Sequence, residues 1–389
     1  PTLPPAYTMI KGYIVGPGVV LVGADLTDSD VPDTGMPQTG LAGLDLSNAN
    51  LSASVLTDAI LTGVDLTNAN LTDATLTNVV SGQIIGTPTL PPAYTMINGY
   101  IVGQGVDLTN ADLTNAVLTG VDLTDADLTG ATLTNVVSGQ IIGIPTLPSA
   151  YTMINGYIVG QGVDLTNADL TNAVLTGVDL TDAILTNIAS GSIIGSPPLP
   201  AAYSIINGYI VGPDVNLNGA ELNGADLTST SLTGVKSGSI TGLPTLSSAY
   251  TMINGYIIGP GVDLTDANLT GSTLTGFDLT DVVLTGASLN GVTSGSIIGT
   301  PLLSSAYSMI NGYIIGPNVS LNGIDLTSFD LAGADLAGAD LTGATLTAAN
   351  LSGAYLYGAS LNGVASGLIT GSPTLPSAYS MIKGYIVGP

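Results

Sequence analysis

The chain has no cysteine, no histidine, no tryptophan and no arginine. Without cysteine there are no disulfides and no thiolate metal sites, although this does not fix the compartment. Losing histidine as well removes the commonest catalytic bases, nucleophiles and metal ligands. Basic charge is nearly absent: Lys11, Lys236 and Lys383 stand against 28 acidic residues, for a net charge of −25. That balance excludes counterion-release binding to nucleic acid and attraction to anionic lipid. Long apolar runs are missing too. Gly, Pro, Asn, Asp or Thr interrupts every stretch before the roughly 18 residues that a membrane span needs. The sequence opens without an initiator methionine or a leader. It starts and stops inside the same phrase, which suggests processing or a segment of something longer.

Leucine is abundant and regular. From Leu108 it returns at Leu113, Leu118, Leu123, Leu128 and Leu133, every fifth residue. Two residues before each stands Val106, Ala111, Ala116, Val121, Ala126 or Ala131. The unit is A-[D/N]-L-T-x. A period of five fits neither a helix nor a long strand, but it fits a short extended segment followed by a bend. Leu and the small residue two before it then share the inward face of a pleat.

There are 42 such units, in runs at 19–78, 106–135, 163–187, 215–234, 262–291 and 319–363. The pattern resembles the pentapeptide-repeat family. That resemblance implies an all-β fold, a right-handed quadrilateral parallel β-helix with four pentads per coil. Stacked coils would bury the Leu column that one pentad cannot bury alone. On this reading residues 1–389 form one continuous solenoid. The odd stretch VPDTGMPQTG (31–40) keeps phase as loosened coil, its prolines pointing away from the ladder.

Between the runs a phrase recurs seven times, as in AYTMINGYIVG (93–103). Its first tyrosines are Tyr7, Tyr94, Tyr151, Tyr203, Tyr250, Tyr307 and Tyr379, and each gap is five times the intervening pentads plus 27. The phrase is therefore a cassette of fixed length. Asn98-Gly99, Asn155-Gly156 and Asn254-Gly255 are hairpin signals, since a type I′ turn needs positive φ at both positions. In that register Ile97 faces Tyr100, and Tyr94 covers Gly103. Tyr151 with Tyr157 and Tyr250 with Tyr256 repeat the arrangement. The Gly- and Pro-bearing residues ahead of each hairpin suit a wide loop. A hairpin that braces the coil is the first reading, and a contact tab for a neighbouring molecule the second.

The stretches 1–17 and 373–389 are copies agreeing at 15 of 17 positions. Both carry lysine, Lys11 and Lys383, where inner cassettes carry asparagine. The interval between them is 372 residues. At five faces per cassette it closes on roughly 18 coils, or roughly 86 Å at about 4.8 Å per coil. Lys11 and Lys383 are the expected end contacts.

Aspartates recur at an outward repeat position, which reads as a solvated surface and not a catalytic pocket. No cofactor is expected and no phosphate loop is present. Asp25, Asp45 and Asp65, four pentads apart, would stack on successive coils. Like charges that close repel unless cations sit among them, so the ladder offers oxygens to Ca²⁺. A hydrated column with loosely held counterions is the alternative. Thr follows most of the leucines and suits extended backbone. An ice-binding array is disfavoured because these threonines fall on all four faces.

The expected function is a non-enzymatic structural protein, self-associating into a homopolymer at an extracellular, cell or virion surface. An acidic DNA mimic acting on a topoisomerase, implied by the family resemblance, is the alternative. Uninterrupted pentads typify the gyrase-targeting members, and the cassettes here depart from that pattern. An ice-binding or adhesive surface protein is the third reading.

Overall fold

The computed structural model describes residues 3–26 and 41–389. They hold strands, bridges and turns, and no helix. They divide into two units, Pro1–Ile188 with Ser192–Ala201, and Ala189–Gly191 with Ala202–Pro389.

One pentad of the first unit shows why the period is five. Val106 and Leu108 are buried and Asp107 between them turns outward. Asp107 Oδ1 accepts the Thr109 N–H at 2.8 Å, which starts the bend. The Ala111 N–H then closes on the Leu108 carbonyl at 2.9 Å, with Asn110 at φ 60°. This is a type II turn, which demands positive φ at its third residue. The fifth position is accordingly most often Asn, Asp or Gly, and Asn110, Asn115, Gly120 and Asp125 all have positive φ; Ala53, Ser328 and Ala348 take the same backbone there. These corners thus follow from a turn rule, and the edges from the alternation of a two-residue pleat.

Residues four pentads apart pair in parallel on successive turns: Asp107–Asp127, Asp112–Thr132, Val117–Val137 and Asp122–Ile142. The ladder bonds are short, with Leu108 N–H to Asp127 O at 2.7 Å and Asp127 N–H to Val106 O at 3.0 Å. Four pentads therefore make one turn. The second unit repeats this in Ser320–Asp340, Asp325–Thr345, Asp330–Asn350 and Asp335–Tyr355. The core of each unit is a column of buried leucines with Ala and Val between them. Each buried Leu stabilises its coil by about 1.5–3 kcal/mol relative to exposure.

The cassettes depart from expectation in two ways. The stretch before the hairpins of the inner cassettes is not a wide loop. Its residues stay in the ladder, with Ile60–Val80, Asp65–Ile85 and Asn70–Thr89 paired. Only the fourth face is replaced, by a hairpin of Thr95–Ile97 and Tyr100–Val102. The next pair, Val80–Asp107, is offset by exactly the cassette length, as are Val137–Asp164, Ala189–Asn216, Lys236–Asp263 and Thr293–Ser320. A cassette is therefore one turn, four faces and not five. The count of about 18 coils loses its basis, while the 372-residue interval in the sequence is unaffected.

The phase reading of 31–40 lies outside the described residues. Flanking pairs constrain what surrounds it: Val20 pairs with Asn50 and Asp25 with Val55, each offset by six pentad lengths instead of four. This turn carries two pentad lengths more than a regular one.

Candidate functional site

The hairpins are the most distinctive feature of the surface. In each, two three-residue strands pair antiparallel, for example Thr95–Val102, Met96–Ile101 and Ile97–Tyr100. Asn98 and Gly99 have φ of 50° and 78°, the type I′ signature. The same register holds around Asn155-Gly156 and Asn254-Gly255. Tyr94 lies against Gly103 so closely that a Cβ there would enter the ring, and Tyr151 and Tyr250 cover Gly160 and Gly259 likewise. The hydroxyls of these three tyrosines donate to the carbonyls of Gln104, Gln161 and Pro260 at 3.1–3.2 Å. Burial pushes the hydroxyl pKa of Tyr94, Tyr151 and Tyr250 up, with the Asp122 and Asp278 carboxylates adding to the effect at Tyr94 and Tyr250.

The second strand belongs to the core. Ile101 and Val102 are fully buried, as are Ile158 with Val159 and Ile257 with Ile258. Room for them comes from a substitution that sequence reading missed. One pentad after the last Leu of each run, the Leu position holds Ser81, Ser138, Ser190, Ser237, Ser294 or Ser366. The hydroxyl of each accepts the N–H of Ile101, Ile158, Ile210, Ile257, Ile314 or Ile386, at 2.9–3.1 Å. A small polar side chain here makes space for the Ile and supplies the acceptor its backbone needs. The signal was present as six serines in leucine phase.

The hairpin also grips the turn that follows. Asn98 Nδ2 donates to Thr114 O at 3.0 Å, and Asn155 Nδ2 to Asp169 O at 2.9 Å and Thr171 O at 3.3 Å. Asn254 Nδ2 reaches Ser272 Oγ at 3.1 Å. Tyr100 and Tyr256 hydroxyls accept the N–H of Asp112 and Asn268 at 3.0 and 2.9 Å. Tyr157 donates to Asn167 O at 3.5 Å. An open groove of about 470 Å³ remains beside one such contact, lined by Gln83, Asn98, Tyr100, Asp112, Thr114 and Asn115. These bonds are those of a brace between consecutive turns. Lys11 and Lys383 occupy the left-handed turn position of their hairpins, at φ 50° and 49°.

The three-carboxylate ladder is not assembled. Asp45 pairs with Asp65, but Asp25 pairs with Val55, two faces further along the coil than Asp45. The physical reason is the two-pentad excess between Asp25 and Asp45. Among the described residues no group of three or more acidic side chains is placed to hold a metal ion. Asp45 and Asp65 each use Oδ1 at 2.9 Å to accept a backbone N–H two residues on, from Ser47 and Thr67. The Thr67 hydroxyl and N–H hold the Asp65 carboxyl below its ordinary pKa, and Asp112, Asp122 and Asp169 are lowered likewise by Thr114, Thr124 and Thr171. The aspartate rows are turn caps.

Similarity to other proteins agrees with this geometry. The family model for pentapeptide repeats matches eight copies, over residues 41–80, 104–137, 161–187, 214–236, 263–293 and 324–363, half of the chain. No curated protein matches. Among solved structures, HetL, a pentapeptide repeat protein involved in heterocyst differentiation regulation from the cyanobacterium Nostoc sp. strain PCC 7120, is 19% identical. That match covers 92% of this chain and 90% of HetL, with a TM-score of 0.11. Rfr23 from the cyanobacterium Cyanothece 51142 is 20% identical over 41% of this chain and 90% of its own, with a TM-score of 0.17. QnrB1, a plasmid-mediated fluoroquinolone resistance protein, is 12% identical over 91% and 92%, with a TM-score of 0.11. At these scores the superpositions carry no weight for function, and the assignment rests on the repeats themselves. With its fivefold leucine column, its type II corners and its four-pentad ladder, the chain belongs to the pentapeptide repeat family.

Proposed function

We propose that this pentapeptide repeat protein is a non-enzymatic structural solenoid that forms or decorates an extracellular or virion-surface fibre by end-to-end or tandem self-association. One observation carries the reading. Each of the five inner cassettes adds one whole turn and returns the ladder to its starting face, so turns can be added without a mismatch. The lysine form of the cassette recurs after 372 residues, which gives the sequence a repeat longer than the cassette itself. Solenoids leave unpaired strands at each end, and stacking onto another copy satisfies them. Lys11 and Lys383 are the residues proposed to lie at that contact. An outer surface with almost no basic residues offers few sites to proteases that cut after Lys or Arg, which suits an exposed location.

The test is cryo-electron microscopy of undenatured material, with the power spectrum of any filaments. Long filaments with a layer line near about 4.8 Å, plus a longer repeat of whole coils, are the expected result. Short separate rods of one chain or a dimer would sink the fibre and leave a soluble binding module as the better reading.

A further inference from the structure

Fourteen of the 16 tyrosines sit two to a hairpin. The remaining two, Tyr355 and Tyr357, stand together in the last pentad run of the second unit. They flank buried Leu356, so both turn outward, at positions where no other pentad carries an aromatic residue. Tyr355 is 44% exposed and Tyr357 63%. Their rings are nearly parallel, with centroids 6.2 Å apart and planes at 28°. Neither hydroxyl has a hydrogen-bond partner among the described residues.

The surroundings are adapted as well. One turn earlier, the position below Tyr357 is Ala337 instead of the usual Thr, and its neighbour Gly338 donates to Tyr357 O at 3.0 Å. Asp335 pairs with Tyr355 across the ladder. Its Oδ1 accepts the Ala337 N–H at 3.0 Å, and Oδ2 makes no bond among the described residues. Two exposed aromatic rings, an apolar neighbour, two unpartnered hydroxyls and one available carboxylate oxygen thus lie side by side, with Tyr355 paired to Asp335 on one side and to Thr374 on the other.

We infer that Tyr355 and Tyr357 form a binding platform for a neutral saccharide, with Asp335 as the acceptor for a ring hydroxyl. Aromatic side chains present a flat apolar body with a polar tip, which fits the mixed CH and OH faces of a pyranose. The net charge of −25 selects against anionic sugars such as uronates or sulfated chains. The pair is independent of the fibre proposal, since it requires neither chain end nor a hairpin.

The experiment is calorimetric titration of the full chain with cellohexaose and with maltohexaose. The variants are Y355A/Y357A, Y357A alone, Y355F/Y357F and D335N, and a melting curve for each verifies folding. The expected result is saturable binding of at least one hexasaccharide. Y355A/Y357A should weaken it by about tenfold or more, because both stacking faces are removed. Y355F/Y357F should stay within about threefold, since the ring faces remain. If neither oligosaccharide binds the wild-type chain, or if the alanine variants bind as well as it does, the platform is overturned. It is overturned equally if Y355A/Y357A alters only the sedimentation of the protein, since the pair would then be a contact between copies. Y357A removes the more exposed ring, so the test stands even where the double variant folds poorly.

Discussion

At the scale of single residues, two polar devices do most of the local work, and each can be removed alone. The buried Ser138 hydroxyl is the acceptor for the Ile158 N–H. Ser138→Ala leaves that N–H buried without a partner, which costs about 1–3 kcal/mol. The amide of Ile158 should exchange with solvent about tenfold faster or more, and native-state hydrogen exchange reads it directly. Restoring the pentad consensus with Ser138→Leu should be worse, because the larger side chain overpacks the space filled by Ile158. The second device is the Asp–Thr corner. Asp112, Asp122, Asp169 and Asp179 are held below their ordinary pKa by the hydroxyl and N–H of the Thr two residues on. A depressed folded-state pKa means stability that is present above the unfolded value of about 4 and lost as pH falls through the folded value. Asparagine makes the same bend without titrating, as Asn70 does for Thr72 at 3.0 Å. The combined variant D112N/D122N/D169N/D179N should therefore lose less melting temperature than wild type between pH 7 and pH 3. An unchanged loss would show that these corners do not set the acid response.

At the scale of elements, the hairpin was legible in the sequence and its seat was not. Asn-Gly between Met96-Ile97 and Tyr100-Ile101 states a type I′ turn, because few residues other than Asn and Gly tolerate its two positive φ angles. Tyr94 over Gly103 follows from the register. Two things stayed hidden: that Val80, Ile85 and Thr89 continue the ladder, and that Ile101 and Val102 enter the core. Leu gives way to Ser81, and the spacing from Ile85 to Thr89 is four, not five. Periodicity ends there although the coil does not. The brace has its own test. Asn155→Gly keeps the left-handed backbone but removes the bonds to Asp169 O and Thr171 O. It should lower the local opening energy of that hairpin by about 0.5–1.5 kcal/mol. Exchange should rise at Ile154 and Tyr157 and stay constant in the ladder at Asp127. Equal exchange at Ile154 and Tyr157 in both proteins would mean that Asn155 serves only the turn.

At the scale of the whole molecule, the solenoid can be read from the leucines because each residue of a pentad has one task, and the tasks repeat. Sequence spacing fails at Val20 and Asp25, which pair six pentad lengths on, with Asn50 and Val55, and not four. It also fails where a cassette, longer than five pentads, completes a turn that elsewhere takes four. The second case makes a prediction that the five-face reading would not. Val137 pairs with Val117 on one side and with Asp164 on the other. Deleting Val137–Val163 removes one cassette length and joins Val136 to Asp164, so that Leu133 and Leu165 become neighbours at fivefold spacing. Asp164 then takes the place of Val137 over Val117, and Asp169 takes that of Ile142 over Asp122. In a structure held by nearest-neighbour turns, the shortened chain loses one turn and keeps every other contact in register. It should fold with an unchanged β spectrum and melt within a few degrees of wild type. Deleting Val137–Gln161 instead removes five whole pentad lengths, yet it puts Leu165 two residues out of phase with Leu133. Leucines after the junction then meet the corners of the turn below, and the protein should melt well below wild type or aggregate. If the five-pentad deletion were the one that folded like wild type, the pentad and not the cassette turn would be the unit in which this chain can be shortened.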